Sequence, residues 1–149
     1  MSGGIPEDAL GTGLSALARI WSCDPDVAAA FLYGSRARGR ARAGSDVDLA
    51  VILRACLSPA ARWRKRLALI DSAGSALGTD AIDLVVLEEA PAPLGHRIVR
   101  AARLLLDADP PRRVAVVEDV LRRYLHEAPL RRALDEGLGE RLEGGRFAR

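Results

Sequence analysis

From Asp46 to Leu53 the chain alternates, with Val47, Leu49 and Val51 on one side and Asp46, Asp48 and Ala50 on the other. A period of two specifies a strand, so this segment commits the chain to a sheet with a covered apolar face and two carboxylates displayed together on the opposite one. Upstream, the apolar run Val27 to Tyr33 stops at Gly34-Ser35 and reads as a buried strand, although Ala28, Ala29 and Ala30 suit a helix equally. A third strand is expected over Ala81 to Leu87, which is rich in β-branched residues and carries Ile82, Leu84 and Val86 on one face and the lone carboxylate Asp83 on the other.

Helical periods fill the remainder. Pro6, Glu7 and Asp8 form a helix start, and Leu10, Leu14, Leu17 and Trp21 recur at helical spacing up to Asp24-Pro25. Ser58-Pro59 opens a second helix whose Trp63, Leu67 and Ile70 share a face, ending before a loop around Gly74 and Gly78. A third, after Pro93, uses Leu94, Ile98, Ala101 and Leu105, and a last one uses Val114, Val117, Leu121 and Tyr124 and stops before Pro129. Gly34 to Gly44 holds three glycines and four arginines and reads as an exposed loop. The expected architecture is α+β, one domain over residues 1–136 with a small mixed sheet packed by helices, and a flexible tail over 137–149.

Composition excludes several classes. With 149 residues, 49% hydrophobic and 28% charged, the chain suffices for one ordinary core. No apolar run reaches the roughly 18 residues of a membrane span, and the N-terminus lacks a basic-then-apolar leader, which points to a cytoplasmic protein. Cys23 and Cys56 share no metal-binding spacing and are expected to be buried, reduced thiols. Net charge is only +2, so direct nucleic-acid binding is not expected despite the many arginines.

The chemistry concentrates between Gly34 and Asp83. A glycine at a strand end lets the backbone approach a ligand closely, and the Ser35 hydroxyl adds a donor for phosphate oxygens. Asp46 and Asp48, two apart on a strand, repel unless a cation lies between them, and magnesium prefers such oxygens completed by water and phosphates. Asp83 facing an apolar core would carry a large desolvation cost, whereas facing the same site it would be compensated. Three carboxylates on two strands suit a two-metal clamp for phosphoryl or nucleotidyl transfer. Gly-Ser with Asp-x-Asp at this offset arises by accident in roughly one placement in 10⁵, so chance is a weak rival.

Leu32-Tyr33-Gly34-Ser35-Arg36-Ala37-Arg38-Gly39, followed by Gly44-Ser45-Asp46-Val47-Asp48-Leu49-Ala50-Val51, resembles the signature of minimal nucleotidyltransferases of the polymerase β superfamily, and within it the MntA antitoxins partnered with HepT toxins, which are HEPN-type RNases. The resemblance implies that Gly34 and Ser35, with Arg36 and Arg38 in the same motif, hold the triphosphate of ATP. It implies further that Asp46 and Asp48 bind Mg²⁺, and that Asp83 completes the metal site and promotes deprotonation of the acceptor. The implied activity is transfer of AMP from ATP to a tyrosine of the toxin, in a hetero-oligomer with it. Two alternatives stand beside it: an aminoglycoside-type enzyme acting on a small hydroxylated molecule, and an antitoxin that masks its partner without catalysis.

Other residues read more simply. Arg40 and Arg42 suit a solvated loop or an acidic partner, and Arg62, Arg64, Lys65 and Arg66 around Trp63 suit a solvated helix face or a contact with RNA or a partner. His96 and His126 suit surface or capping roles, Tyr33 a core strand position, and Tyr124 the stripe of the last helix. Leu130, Leu134 and Leu138 form a second stripe, either buried by the monomer or docking a partner.

Overall fold

The computed structural model describes residues 6–42, 44–54 and 57–143. Helix α1 (Glu7–Ser22) leads into strand β1 (Val27–Tyr33), a helical turn α2 (Gly34–Ala37), and strand β2 (Val47–Leu53). Helix α3 (Pro59–Leu77) returns the chain to β3 (Ile82–Val86), and α4 (Ala92–Ala101), β4 (Arg103–Asp107) and α5 (Pro110–Glu143) follow. The sheet order is β3-β2-β1-β4, with β1 antiparallel to both β2 and β4 and β2 parallel to β3. This is the expected α+β fold with a mixed sheet.

Helices cover both faces of the sheet, which explains why β1 is a continuous apolar run rather than an alternating one. On one face α1 and α3 bring Leu14, Leu17, Trp21, Leu69 and Ala73 against Leu32, Val47, Leu49 and Val51. On the other, α4 and α5 bring Ile98, Val116 and Val120 against Ala28, Ala50 and Ile52. Small β1 side chains let α5 lie close. Between α4 and α5 the approach is tighter still, because a Cβ on Gly95 would sit 2.9 Å from Val120 Cγ1. Gly95→Val is therefore expected to destabilise the protein by about 1–3 kcal/mol in chemical denaturation, the usual cost of overpacking. Leu134→Ser, at a side chain 57% exposed, should change stability by less than about 0.5 kcal/mol in the same assay.

Several expectations need correction. Four residues of the predicted loop, Gly34–Ala37, form a helical turn, and β2 begins at Val47, one residue after Asp46. Helix α3 runs through Gly74 and ends at Leu77, where Gly78 supplies the left-handed cap at φ 65°. Its buried line is Leu69, Ala73 and Leu77, while Trp63 and Leu67 are 56% and 48% exposed. Burial of that line sets the phase, and Lys65, which reaches Asp24 and Asp26 at 2.9 and 2.8 Å, lies on the same side and leaves Trp63 facing outward. Leu105 lies not in a helix but in β4, since the backbone turns extended at Ala102 and the next residues pair with β1.

In α5 the core-facing residues are Val116 and Val120, and Val114 and Leu121 are exposed. The helix passes through Pro129 because the carbonyl that proline leaves unpaired, that of Leu125, lies on an exposed stretch of helix where water can take it. It continues to Glu143, past the predicted start of the tail. Leu134 and Leu138 lie eighteen residues, five helical turns, beyond Val116 and Val120, so they extend the core-facing line, yet they and Leu130 are exposed. Cys23 is exposed rather than buried, and Cys56 lies outside the described residues.

Candidate active site

The register of the sheet lines up three polar side chains. Tyr33 at the end of β1 pairs with Asp48 on β2, and Asp48 pairs with Asp83 on β3. The period of two sends all three to the face covered by α4 and α5, where they form the floor of a cleft of about 460 Å³ with Gly34, Ser35 and Arg38. Leu94, Arg97 and Ala101 of α4 make the opposite wall.

Gly34 turns the chain out of β1 at φ 72°, a left-handed conformation that glycine adopts without strain. The position also needs the missing side chain: a Cβ there would fall 1.9 Å from Asp48 Oδ2. Backbone and carboxylate thus approach as closely as the chain allows. Arg38 Nε donates to the Gly34 carbonyl at 3.2 Å, which holds its guanidinium at the cleft rim. Arg36 points elsewhere, donating from Nη2 to the Ser45 carbonyl at 2.7 Å and from Nε to that of Asp46 at 3.3 Å. It ties the loop before β2 to the turn after β1 and does not line the cleft.

Charge at the floor is strongly unbalanced. Burial raises the Asp48 carboxyl above its usual range, and the neighbouring carboxylates of Asp83 and then Asp46 add to the rise against the opposing arginines 36 and 38. The Tyr33 hydroxyl is pushed up to about 12, by burial first and then by Asp83 and Asp48. It therefore stays protonated near neutrality, able to donate to Asp83 Oδ2 at 3.4 Å. Asp46 is exposed just ahead of β2 and outside the cleft lining, and among the described residues no three metal-ligating side chains gather into one cluster. The donor set still fits a hard divalent cation, since two carboxylates paired across β2 and β3, and a third close enough to raise one of them, are held in a repulsion that such an ion relieves.

That repulsion has a measurable sign. A carboxyl raised in the folded state costs nothing below its unfolded pKa, and the penalty accrues as pH rises from that value through the folded one. Metal-free Asp83→Asn is therefore expected to melt at a higher temperature than wild type at neutral pH. The difference should shrink at acidic pH where Asp48 is protonated. Thermal unfolding in chelator at the two pH values reads both.

Of the sequence-predicted residues, the fold brings together Gly34, Ser35, Arg38, Asp48 and Asp83, and sets Arg36 and Asp46 outside the lining. Sequence reasoning passed over Tyr33, read as core, although it shares the face of Asp48 once the register is known. Arg97 gave no signal in the sequence; it reaches the cleft only because α4 packs across the sheet.

Comparison with known proteins supplies the rest. The family model "Polymerase beta, Nucleotidyltransferase" matches residues 16–111, which hold every element from late α1 through β4. A crystal structure of a toxin–antitoxin with AMP-PNP contains a chain 26% identical, covering 85% of this chain and 95% of that one with a TM-score of 0.65. A second, of the toxin–antitoxin MntA–HepT, is 25% identical over 83% and 91% of the two chains with a TM-score of 0.57. A third, of a tri-AMPylated Shewanella oneidensis HEPN toxin in complex with MNT antitoxin, is 23% identical over 89% and 98% at a TM-score of 0.61 and speaks for the fold alone. No curated protein matches. With its glycine turn, paired strand carboxylates and family match over most of its length, the chain belongs to the polymerase beta nucleotidyltransferase family.

Proposed function

We propose that this nucleotidyltransferase transfers AMP from ATP to a tyrosine hydroxyl of a HEPN-type RNase toxin and thereby acts as its antitoxin in the cytoplasm. The observation that carries the reading is the Asp48–Asp83 pair beside the Gly34-Ser35 turn, in a chain that aligns over 95% of one from a toxin–antitoxin with AMP-PNP. The described residues form one sheet with its covering helices, and the cleft of about 460 Å³ already serves the nucleotide on this reading, so the acceptor brings its own complementary surface. That favours a protein over a small hydroxylated molecule.

On this reading Gly34 and Ser35 hold the triphosphate, with Arg38 offsetting its charge from the rim, while Arg36 keeps the Ser45-Asp46 segment in place beside the turn. Asp46 and Asp48 would hold Mg²⁺ and Asp83 would complete the site, which can take one ion or two. Magnesium there supplies charge stabilisation for the phosphates and lowers the pKa of the attacking group. Asp83 accepts the proton of the acceptor hydroxyl, whose oxygen attacks the α-phosphorus in line. The bond to the β-phosphate oxygen breaks and pyrophosphate leaves. A tyrosine acceptor, with a free pKa around 10, needs that assistance near neutral pH. Tyr33 keeps its proton and, by donating to Asp83, orients the carboxylate toward the cleft.

The test is incubation with ATP labelled at the α-phosphate and a purified HEPN-type partner. The reading requires label on a partner tyrosine; label on neither protein, or on this chain alone, contradicts it.

A further inference from the structure

A second concavity adjoins the cleft. It lies between α4 and α5, measures about 600 Å³, and is lined by Pro93, His96 and Arg97 on one side and by Tyr124, Leu125, Arg131, Arg132 and Asp135 on the other. Arg97 belongs to both linings, so the groove and the cleft meet at its side chain. We infer that this groove is the acceptor-docking surface, and that it takes an acidic polypeptide segment of the partner whose hydroxyl is thereby led to Asp83. The inference rests on the transfer reading above.

Charge chooses the occupant. Arg97 and Arg132 are exposed and enter no ion pair among the described residues, while Arg131 is already paired with Glu127 at 3.5 Å and donates to the Tyr124 carbonyl. Against them stands a single lining carboxylate, Asp135. The surface is rigid as well as basic. His96 stacks on Tyr124 at 3.8 Å with the rings 5° apart, and the Arg131 guanidinium lies 3.9 Å from the same ring centroid. Two groups at that distance cannot share one face, so both faces of Tyr124 are covered. No open face of Tyr124 remains on which a nucleobase could stack, which argues against a nucleic-acid strand and leaves the arginines to read side-chain carboxylates. Pro93 and Leu125, the latter well exposed, give a peptide apolar contact beside those charges.

The test uses fluorescence anisotropy with three labelled probes: a short peptide with a central tyrosine flanked by glutamates, its lysine-flanked counterpart, and single-stranded oligoadenylate. The glutamate peptide should bind the wild-type protein at least about tenfold more tightly than the lysine peptide, a modest demand on complementary charge. Arg132→Glu should erase that preference, and Asp135→Asn should tighten binding of the glutamate peptide. A gain of affinity cannot come from misfolding, so the second variant guards the first. Equal binding of the two peptides, or a preference that survives Arg132→Glu, overturns the proposal, as does oligoadenylate binding more tightly than the glutamate peptide. ATP binding is measured alongside: if ATP fails to bind, the transfer reading falls, while the peptide preference still decides the docking surface.

Discussion

Asp48→Asn is expected to lower the rate of nucleotidyl transfer by about 10³-fold or more while leaving the melting temperature of the metal-free protein unchanged or raised. The carboxylate stands at the centre of the Tyr33–Asp48–Asp83 row, paired with a neighbour on each side. Charge stabilisation at a transferring phosphoryl group is worth several kcal/mol, and each 1.4 kcal/mol is about a factor of ten in rate. The same change removes a carboxyl that burial and two like charges hold in a disfavoured state, so folding loses nothing. Most substitutions at a partly buried strand position destabilise. A variant that is both inert and at least as stable as wild type would mark Asp48 as a residue kept for chemistry against the preference of the fold. Calorimetric titration with ATP, with and without Mg²⁺, separates loss of nucleotide affinity from loss of turnover. An Asp48→Asn protein that transfers at the wild-type rate would remove the metal assignment.

Gly34→Ala should be nearly as damaging by another route. A left-handed backbone costs a residue with a Cβ about 1–2 kcal/mol. Here the added carbon also falls 1.9 Å from Asp48 Oδ2 and 2.7 Å from its Cγ, so the carboxylate must move out of the row or the turn must open. Gly39 supplies the control, since it too has a positive φ, 64°, yet a Cβ there meets nothing within 4 Å. Gly39→Ala should cost about 1–2 kcal/mol of stability and little activity. Gly34→Ala should cost at least as much stability and lower transfer by about 10²-fold or more, a loss of about 3 kcal/mol in the transition state. Matched activities of the two variants would show that contact with Asp48 is not what the glycine protects.

The parts of this account visible in the sequence are those written locally. The alternation of Val47, Leu49 and Val51, the abrupt end of an apolar run at Gly34, and the capping serine at 58 each declare themselves within a few residues, and β1, β2 and the start of α3 follow. Strand β4 was not legible because Leu104, Leu105 and Leu106 fit a helix as well as an edge strand, and the choice is made by pairing with β1 some seventy residues away. The phase of α3 failed for a similar reason. Trp63 and Leu67 satisfy a helical period, but the line the core accepts is Leu69, Ala73 and Leu77, with Lys65 on its side reaching Asp24 and Asp26, and this leaves the first two facing solvent.

At the site, spacing alone marked Gly34, Ser35, Asp46, Asp48 and Asp83 as candidates. It could not reveal that Asp46 stays outside the cleft lining, that Arg36 binds backbone carbonyls beside the site, or that Tyr33 faces Asp83. Those facts depend on where strand β2 starts and on cross-strand register, both set by tertiary pairing.

The central claim is that neutralisation proceeds by covalent transfer. The most direct measurement is the intact mass and RNase activity of a HEPN-type partner co-expressed with the wild-type protein, with Asp48→Asn, or with Asp83→Ala. The account predicts a partner that carries one or more AMP units and is inactive beside wild type, and one that is unmodified and active beside either variant. A partner left unmodified by the wild-type protein yet inactive in its presence would contradict transfer and assign neutralisation to masking by binding.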